Sequence, residues 1–268
     1  MARHFISTSA RQMALVLLVS LLAQTAAQAQ GRAGRGPPPT GEAAAPVDLT
    51  GYWVSLVTQD WIFRMVTPRR GDYSDVPLNA AGIQIMDAWD PAKDVAAGEQ
   101  CKSYGAPAIM RVPERLHITW QDKQTMKMQT DAGEQTRLFH FVRSDADPGA
   151  KSLQGYSFAL WQIQRKSADT GGGRASRPAG PPVWGNLKVM TNNLTAGYLR
   201  KNGIPYSDNA KLTEYYDLLP QIGGEQLMMV TSSVTDPTYL TKVFIVNSNF
   251  KKESSASGWE PSPCSATW

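Results

Sequence analysis

The chain has 268 residues, with 27 Lys and Arg, 23 Asp and Glu, three His and two Cys. A charged fraction of 19% and a hydrophobic fraction of 42% exclude a chain disordered throughout. The formal charge of +4 is small for this length and makes no argument for nucleic acid, which needs a clustered basic face.

Residues 1–29 read as an export signal. Arg3 and Arg11 precede the apolar run Met13–Leu22, and Ala27-Gln28-Ala29 fits the small-residue cleavage rule, so cleavage is expected after Ala29. The run is shorter than the roughly 20 apolar residues of a membrane span, and no second run of that length follows. No Cys follows it either, which argues against a lipid anchor. The expected mature protein is therefore periplasmic or secreted, with no membrane span. Its charge falls from +4 to +2, because Arg3 and Arg11 leave without any acid.

Residues 30–47 are mostly Gly, Arg, Ala and Pro, have little to bury, and read as a disordered leader. The folded chain is expected over 48–268 as a single domain. Residues 54–66, with Trp61 and Phe63, read as one or two strands. Asn79 can cap a short helix running to Trp89, with Ile83, Met86 and Trp89 on its apolar face and Pro91 as its stop. From Arg111 onward the pattern is β. Leu116–Trp120, Thr125–Thr130, Thr136–Phe141, Tyr156–Ile163, Leu187–Asn193, Lys211–Leu219, Gln226–Val234 and Phe244–Phe250 follow one another with short turns. The Gly- and Pro-rich stretch 166–183 cannot build a core and reads as a flexible hairpin insertion. The fold class is all-β, a sandwich or an up-and-down barrel, with one short helix near its start.

Cys101 and Cys264 are the two cysteines of an exported chain, so a disulfide between them is expected, tying the tail to an early loop.

Gly51-Tyr52-Trp53 ahead of a β-rich chain resembles the Gly-x-Trp signature of the first lipocalin strand. A longer likeness, over residues 49–252, is to uncharacterised exported bacterial proteins that look lipocalin-like. It rests on Cys101-Lys-Ser-Tyr-Gly105-Ala-Pro107, Gly155-Tyr-Ser157 with Trp161, Thr213-Glu214-Tyr215, and Asp236-Pro237-Thr-Tyr239, in that order. The insertion after Trp161 departs from the pattern. The resemblance implies a lipocalin-like antiparallel barrel and carries no reaction with it.

The chemistry is sparse. The histidines beyond the signal are His117 and His140, no HxH or HExxH occurs, and neither a metal nor any other cofactor is expected. Asp145-Ala-Asp147 lacks the later Glu of a calcium loop. No nucleophile elbow and no Gly-rich phosphate loop is present. On strands, alternation groups Glu214 with Leu212, Tyr216 and Leu218, and Arg137 with Phe139 and Phe141. An inward Glu and Arg must be paired, hydrogen-bonded or wet, so they are either a structural pair or a base with its electrostatic stabiliser. Trp120, His117, His140, Trp161 and Tyr216 are candidate walls for a ligand. The loop Leu199–Tyr206 offers Arg200 and Tyr206 as a lid for an acidic head group. The expected partner is a small apolar or amphipathic molecule inside the barrel. A cofactor-independent isomerase, cyclase or lyase using the same cavity is the alternative, and enzyme status and oligomeric state stay open.

Overall fold

A computed structural model describes residues 40–143, 148–164, 184–220 and 224–267. The signal peptide, residues 30–39 of the leader, the 166–183 insertion and the Asp145-Ala-Asp147 turn lie outside them.

The alternating stretches fold into eleven strands: β1 Gly51–Leu56, β2 Arg115–Asp122, β3 Thr125–Thr130, β4 Thr136–His140, β5 Tyr156–Gln164, β6 Trp184–Asn192, β7 Gly197–Arg200, β8 Ile204–Tyr206, β9 Lys211–Pro220, β10 Gln226–Thr235 and β11 Phe244–Glu253. Nine of them close into a barrel in the order β1-β11-β10-β9-β6-β5-β4-β3-β2, while β7 and β8 pair separately. The all-β barrel expected from the sequence is what forms. Its neighbours are antiparallel except β4 and β5, which run parallel and align over only Phe139–Ser157 and His140–Phe158. That short ladder is the weak seam of the sheet, since every other neighbouring pair has a longer register.

Alternation puts one face of each strand inside. Trp53, Leu116, Ile118, Met126, Met128, Phe139, Val189, Tyr216, Met228 and Phe250 are buried there as one core. Trp53 donates its indole N–H to the Leu49 carbonyl at 2.9 Å, which satisfies the polar atom of a fully buried ring.

Connections gather at the two ends. The far end is crossed by residues 40–50, which the sequence assigned to the leader and its edge. Gly41–Ala44 make a 3₁₀ turn, and the Trp161 indole donates to the Gly41 carbonyl at 2.8 Å. The other end is capped by residues 57–114, 193–210 and 236–243. The cap contains α1 Trp61–Arg64, α2 Ala80–Asp87, α3 Pro91–Ala96, a 3₁₀ turn Gln100–Tyr104, α4 Ala106–Ile109, and the β7–β8 hairpin. It has its own core of Val76, Leu78, Met86, Leu199, Ile204, Tyr206 and Phe244. Asp236, of the Asp-Pro turn, accepts from the Ser207 backbone N–H at 2.6 Å and from its hydroxyl at 2.7 Å, which holds the β10–β11 turn to the hairpin.

The cap corrects three expectations. Residues 54–66 are one strand and then a helical turn, because Trp61 and Ile62 are exposed while Phe63 and Arg64 turn inward, a helical spacing. Pro91 stops α2 but also opens α3, where its missing N–H costs nothing, with Asp90 as cap accepting from Ala92 N–H at 3.0 Å. Leu199–Tyr206 is a paired hairpin with Arg200 and Tyr206 buried, not an open lid. The α2 expectation holds: Asn79 accepts from Gly82 N–H at 3.0 Å, and Met86 is buried.

Cys101, in the 3₁₀ turn, is bonded to Cys264 in the tail, as expected. The tail reaches it by running along the β3–β4 turn, where Gly133 N–H donates to the Ser262 carbonyl at 2.8 Å. Gly133 has φ +74°, and a Cβ there would stand 2.3 Å from the Tyr104 ring, so only glycine fits between turn and cap.

Candidate functional site

Two ionisable sites, the Arg137–Glu214 pair and Glu114, are buried, and their surroundings differ. The first is the pair expected from strand parity. Arg137 on β4 and Glu214 on β9 both point inward, with β5 and β6 between them in the sheet. Arg137 donates Nη1 to Glu214 Oε1 at 2.9 Å and Nη2 to Oε2 at 2.6 Å, a fork-on-fork pair. Nη2 also donates to Thr191 Oγ1 on β6 at 3.3 Å, which meets Ser157 Oγ on β5 at 2.7 Å. Tyr216 donates its hydroxyl to Glu214 at 3.3 Å. One polar network thus joins β4, β5, β6 and β9 across the two-residue parallel seam. Burial works against the Arg137 charge, but Glu214 more than offsets this, so its pKa rises; burial and then Glu214 push the Tyr216 phenol far up.

The second group is Glu114, just before β2. Carried backward, the alternation of β2 places Glu114 on the inward face of Leu116 and Ile118. It is 5% exposed, and neither carboxyl oxygen has a hydrogen-bond partner among the described residues. Burial first, and then nearby Asp131, push its pKa well above the usual carboxyl range, against the pull of Arg64 and Arg137. Asp131 is fixed in place, its Oδ1 accepting from the Arg115 and Ala132 backbone N–H groups at 2.7 Å each.

Glu114 borders a cleft of about 480 Å³ at the capped end. Val54, Val57, Met65, Pro113, Ala132 and Pro261 give it apolar walls, and Arg115, Asp131 and Glu260 give it a charged margin. The cleft therefore combines apolar lining with a neighbouring buried, unpartnered carboxyl group, a combination found at small-molecule sites.

The remaining expected site residues fall in three places. Tyr216, Trp120 and Trp161 lie on inward faces; Phe141 packs between the two tryptophans at the far end, with ring centroids 5.3 and 5.5 Å away. The segment 40–50 covers this aromatic group and leaves a depression of about 400 Å³ beside Trp120. His117 and His140 lie on the outward faces. His117 stacks on Tyr52 at 4.1 Å and His140 on Tyr156 at 5.1 Å, and burial lowers both pKa values. Arg200 and Tyr206 are inside the cap. The Tyr206 hydroxyl sits against Gly105 and Gly197 without a hydrogen-bond partner among the described residues.

Sequence reasoning missed Glu114, Arg64 and Arg111. The signal for Glu114 was available, since its parity matches Leu116, but the strand was read as starting after it. Arg64 ends a single helical turn and Arg111 sits in irregular chain, segments too short or aperiodic to separate inside from outside.

Among the described residues, no group of three or more His, Cys, Asp or Glu stands close enough to hold a metal ion, and no helix is long and apolar enough to cross a membrane. Fold and site together define an all-β barrel closed by nine strands, with an apolar-walled, charge-rimmed cleft at its capped end. Comparison with family models, with curated proteins and with solved structures found no match.

Proposed function

We propose that this protein is an exported binding barrel that takes a small, largely apolar molecule into the cleft at its capped end. The apolar body of the ligand lies against Val54, Val57 and Met65, and its polar group meets Glu114. The observation that carries the reading is Glu114, a residue bordering the cleft whose buried carboxyl group has both oxygens unpartnered among the described residues. A buried polar group without a partner costs about 1–3 kcal/mol, and a ligand that supplies the partner recovers that cost on binding. Export is supported by the apolar N-terminal run and by the disulfide, which persists in oxidising compartments. The likeness to exported lipocalin-like proteins points the same way. In this reading the Arg137–Glu214 network serves as the brace of the parallel seam.

The second reading is acid/base catalysis in the same cleft. A carboxyl group with a raised pKa beside a fixed second carboxylate is the arrangement favouring it, with Glu114 in the role first assigned to Glu214.

The test uses the neutral fluorescent probe N-phenyl-1-naphthylamine with wild type, Met65→Glu, Glu114→Leu and Trp161→Ala. Binding is expected to be saturable. Met65→Glu and Glu114→Leu should weaken it about tenfold or more, equivalent to ~1.4 kcal/mol, and Trp161→Ala should leave it unchanged. Loss of binding in Trp161→Ala alone would move the site to the far end of the barrel.

A further inference from the structure

We infer that the cap holds a second site, for a phosphate group, built from Arg64, Arg111 and Arg200; it does not depend on the reading of the cleft. Three arginines from three separate segments are buried together under the barrel's end. They are 2%, 6% and 4% exposed, values rare for a residue that is always charged. Arg64, at the end of α1, donates Nε to the Arg111 carbonyl at 2.7 Å. Arg111 donates Nη1 to Asp60 at 3.1 Å. Arg200, on β7, donates Nη1 to the Ser74 carbonyl at 2.8 Å, and its guanidinium carbon lies over the Phe63 ring, 4.1 Å from the centroid. Phe63 precedes Arg64, so α1 connects all three.

Direct partners do not match these charges. Among the described residues, Asp60 is the one carboxylate in ion-pair contact with any of the three guanidinium groups. Arg64 Nη2, Arg111 Nη2, and Arg200 Nε and Nη2 are buried without hydrogen-bond partners. Asp72 and Asp75 act on Arg200 only at longer range. Burial and repulsion from Arg111 lower Arg64 and Arg200 to about 10, which leaves all three cationic at neutral pH. Three buried guanidinium groups share one direct ion-pair partner, Asp60, while Asp72 and Asp75 offset Arg200 and Glu114 offsets Arg64 only through space, so the cluster keeps buried donors that no anion contacts.

The chemistry of these donors selects the ligand. A cationic cluster with four unpartnered N–H-bearing nitrogens favours an anion, and donors in rigid forks suit the three or four oxygens of a phosphate better than a single carboxylate. The Asp60 carboxylate stays beside the site and selects against larger polyanions by repulsion. The left-handed backbone at Asp60, φ +51°, turns that side chain back toward Arg111 and is the strained element of the site. Two sources share this chemistry, the free ion and a monoester; α1 exposes Trp61 (61%) and Ile62 (51%) beside the cluster, so an aromatic monoester gains a surface that inorganic phosphate does not use.

The test is thermal unfolding of the full mature chain in inorganic phosphate or phenyl phosphate, against sodium chloride at equal ionic strength. Saturable stabilisation is expected. At concentrations a hundredfold above Kd it should reach about 5 °C or more. Arg200→Met should remove the phosphate-specific part while melting no lower than wild type in chloride, because it deletes an unpaired cation. Should Arg200→Met fail to fold, ³¹P line broadening of phosphate by the wild-type protein alone decides the matter. Tighter binding of phenyl phosphate identifies a monoester ligand, and equal binding identifies the free ion. Stabilisation that merely follows ionic strength, together with unbroadened ³¹P lines, would overturn the site. Neither result bears on probe binding in the cleft.

Discussion

The barrel body and its capped end solve the same problem in opposite ways. Both bury charged side chains that need partners. In the body, Arg137 and Glu214 satisfy each other in a two-point pair, and Thr191, Ser157 and Tyr216 fill in around them, so that both Glu214 oxygens are partnered and Arg137 keeps one buried donor, Nε, without a partner among the described residues. At the capped end, Glu114 has no hydrogen-bond partner for either oxygen, and the arginines keep unpartnered donors. A closed network holds strands in register; an open one is available to a ligand. The difference explains why burial alone does not mark a functional residue.

The disulfide provides the first way to break this comparison, because it ties the tail to the cap and bypasses the barrel wall. Cys101 and Cys264 are 163 residues apart, and chain entropy assigns a loop of that size about 5 kcal/mol, an upper figure. The Cys101→Ser/Cys264→Ser double variant should lose most of this in urea unfolding. Amide exchange should accelerate in the cap, including Tyr104 and the β7–β8 hairpin, before it accelerates in β9–β11. Uniform acceleration would show that cap and body unfold as one unit.

The body pair comes next. Arg137→Met leaves Glu214 buried and alone, and should cost about 3–5 kcal/mol by equilibrium unfolding. Adding Glu214→Leu should return most of it, since the apolar pair needs no partners. If the double variant stays as unstable as the single one, the network across the β4–β5 seam contributes more than the charges, and Ser157 and Thr191 become the residues to test.

Glu114 gives a smaller effect with a definite pH signature. An unfolded Glu titrates near about 4.3, whereas folded Glu114 holds its proton to higher pH. The folded state therefore binds more protons between those two values, and stability falls as pH rises through that window. Glu114→Gln abolishes the penalty. It should match wild type near pH 4 and exceed it at pH 7 by about 1–3 kcal/mol, in urea titrations at both pH values. A constant difference at both values would mean that Glu114 does not titrate as its burial implies.

The two regions also differ in how much of them could be read from the chain. The barrel was legible because period-two alternation is a direct physical record of an inside and an outside. It orients Leu212, Glu214, Tyr216 and Arg137 from the sequence alone, and all four are buried. The cap was not, because its buried residues lie on short helical turns and irregular chain whose order comes from tertiary packing. Trp61 and Phe63 looked like strand residues, and Arg200 looked like a loop cation. Glu114 lies at the border: its parity belongs to β2, but the alternation legible in the sequence begins only at Leu116.

The smallest expected effect is at the surface. His117 and His140 stack on tyrosines on the outward faces, so His117→Phe and His140→Phe should each shift the melting temperature by a degree or two, within the ±0.5 kcal/mol usual for surface changes. Neither should alter probe binding in the cleft. A loss of binding in either would place a ligand on the outside of the barrel.

The central claim is that the open end of this comparison, at Glu114, is where a ligand binds. It is tested most directly by following the Glu114 side-chain carboxyl carbon by ¹³C NMR through a pH titration, with and without saturating N-phenyl-1-naphthylamine. The account predicts a midpoint well above the ordinary glutamate range in the free protein and a further displacement when the probe is bound. A midpoint in the ordinary range that the probe does not move would contradict it.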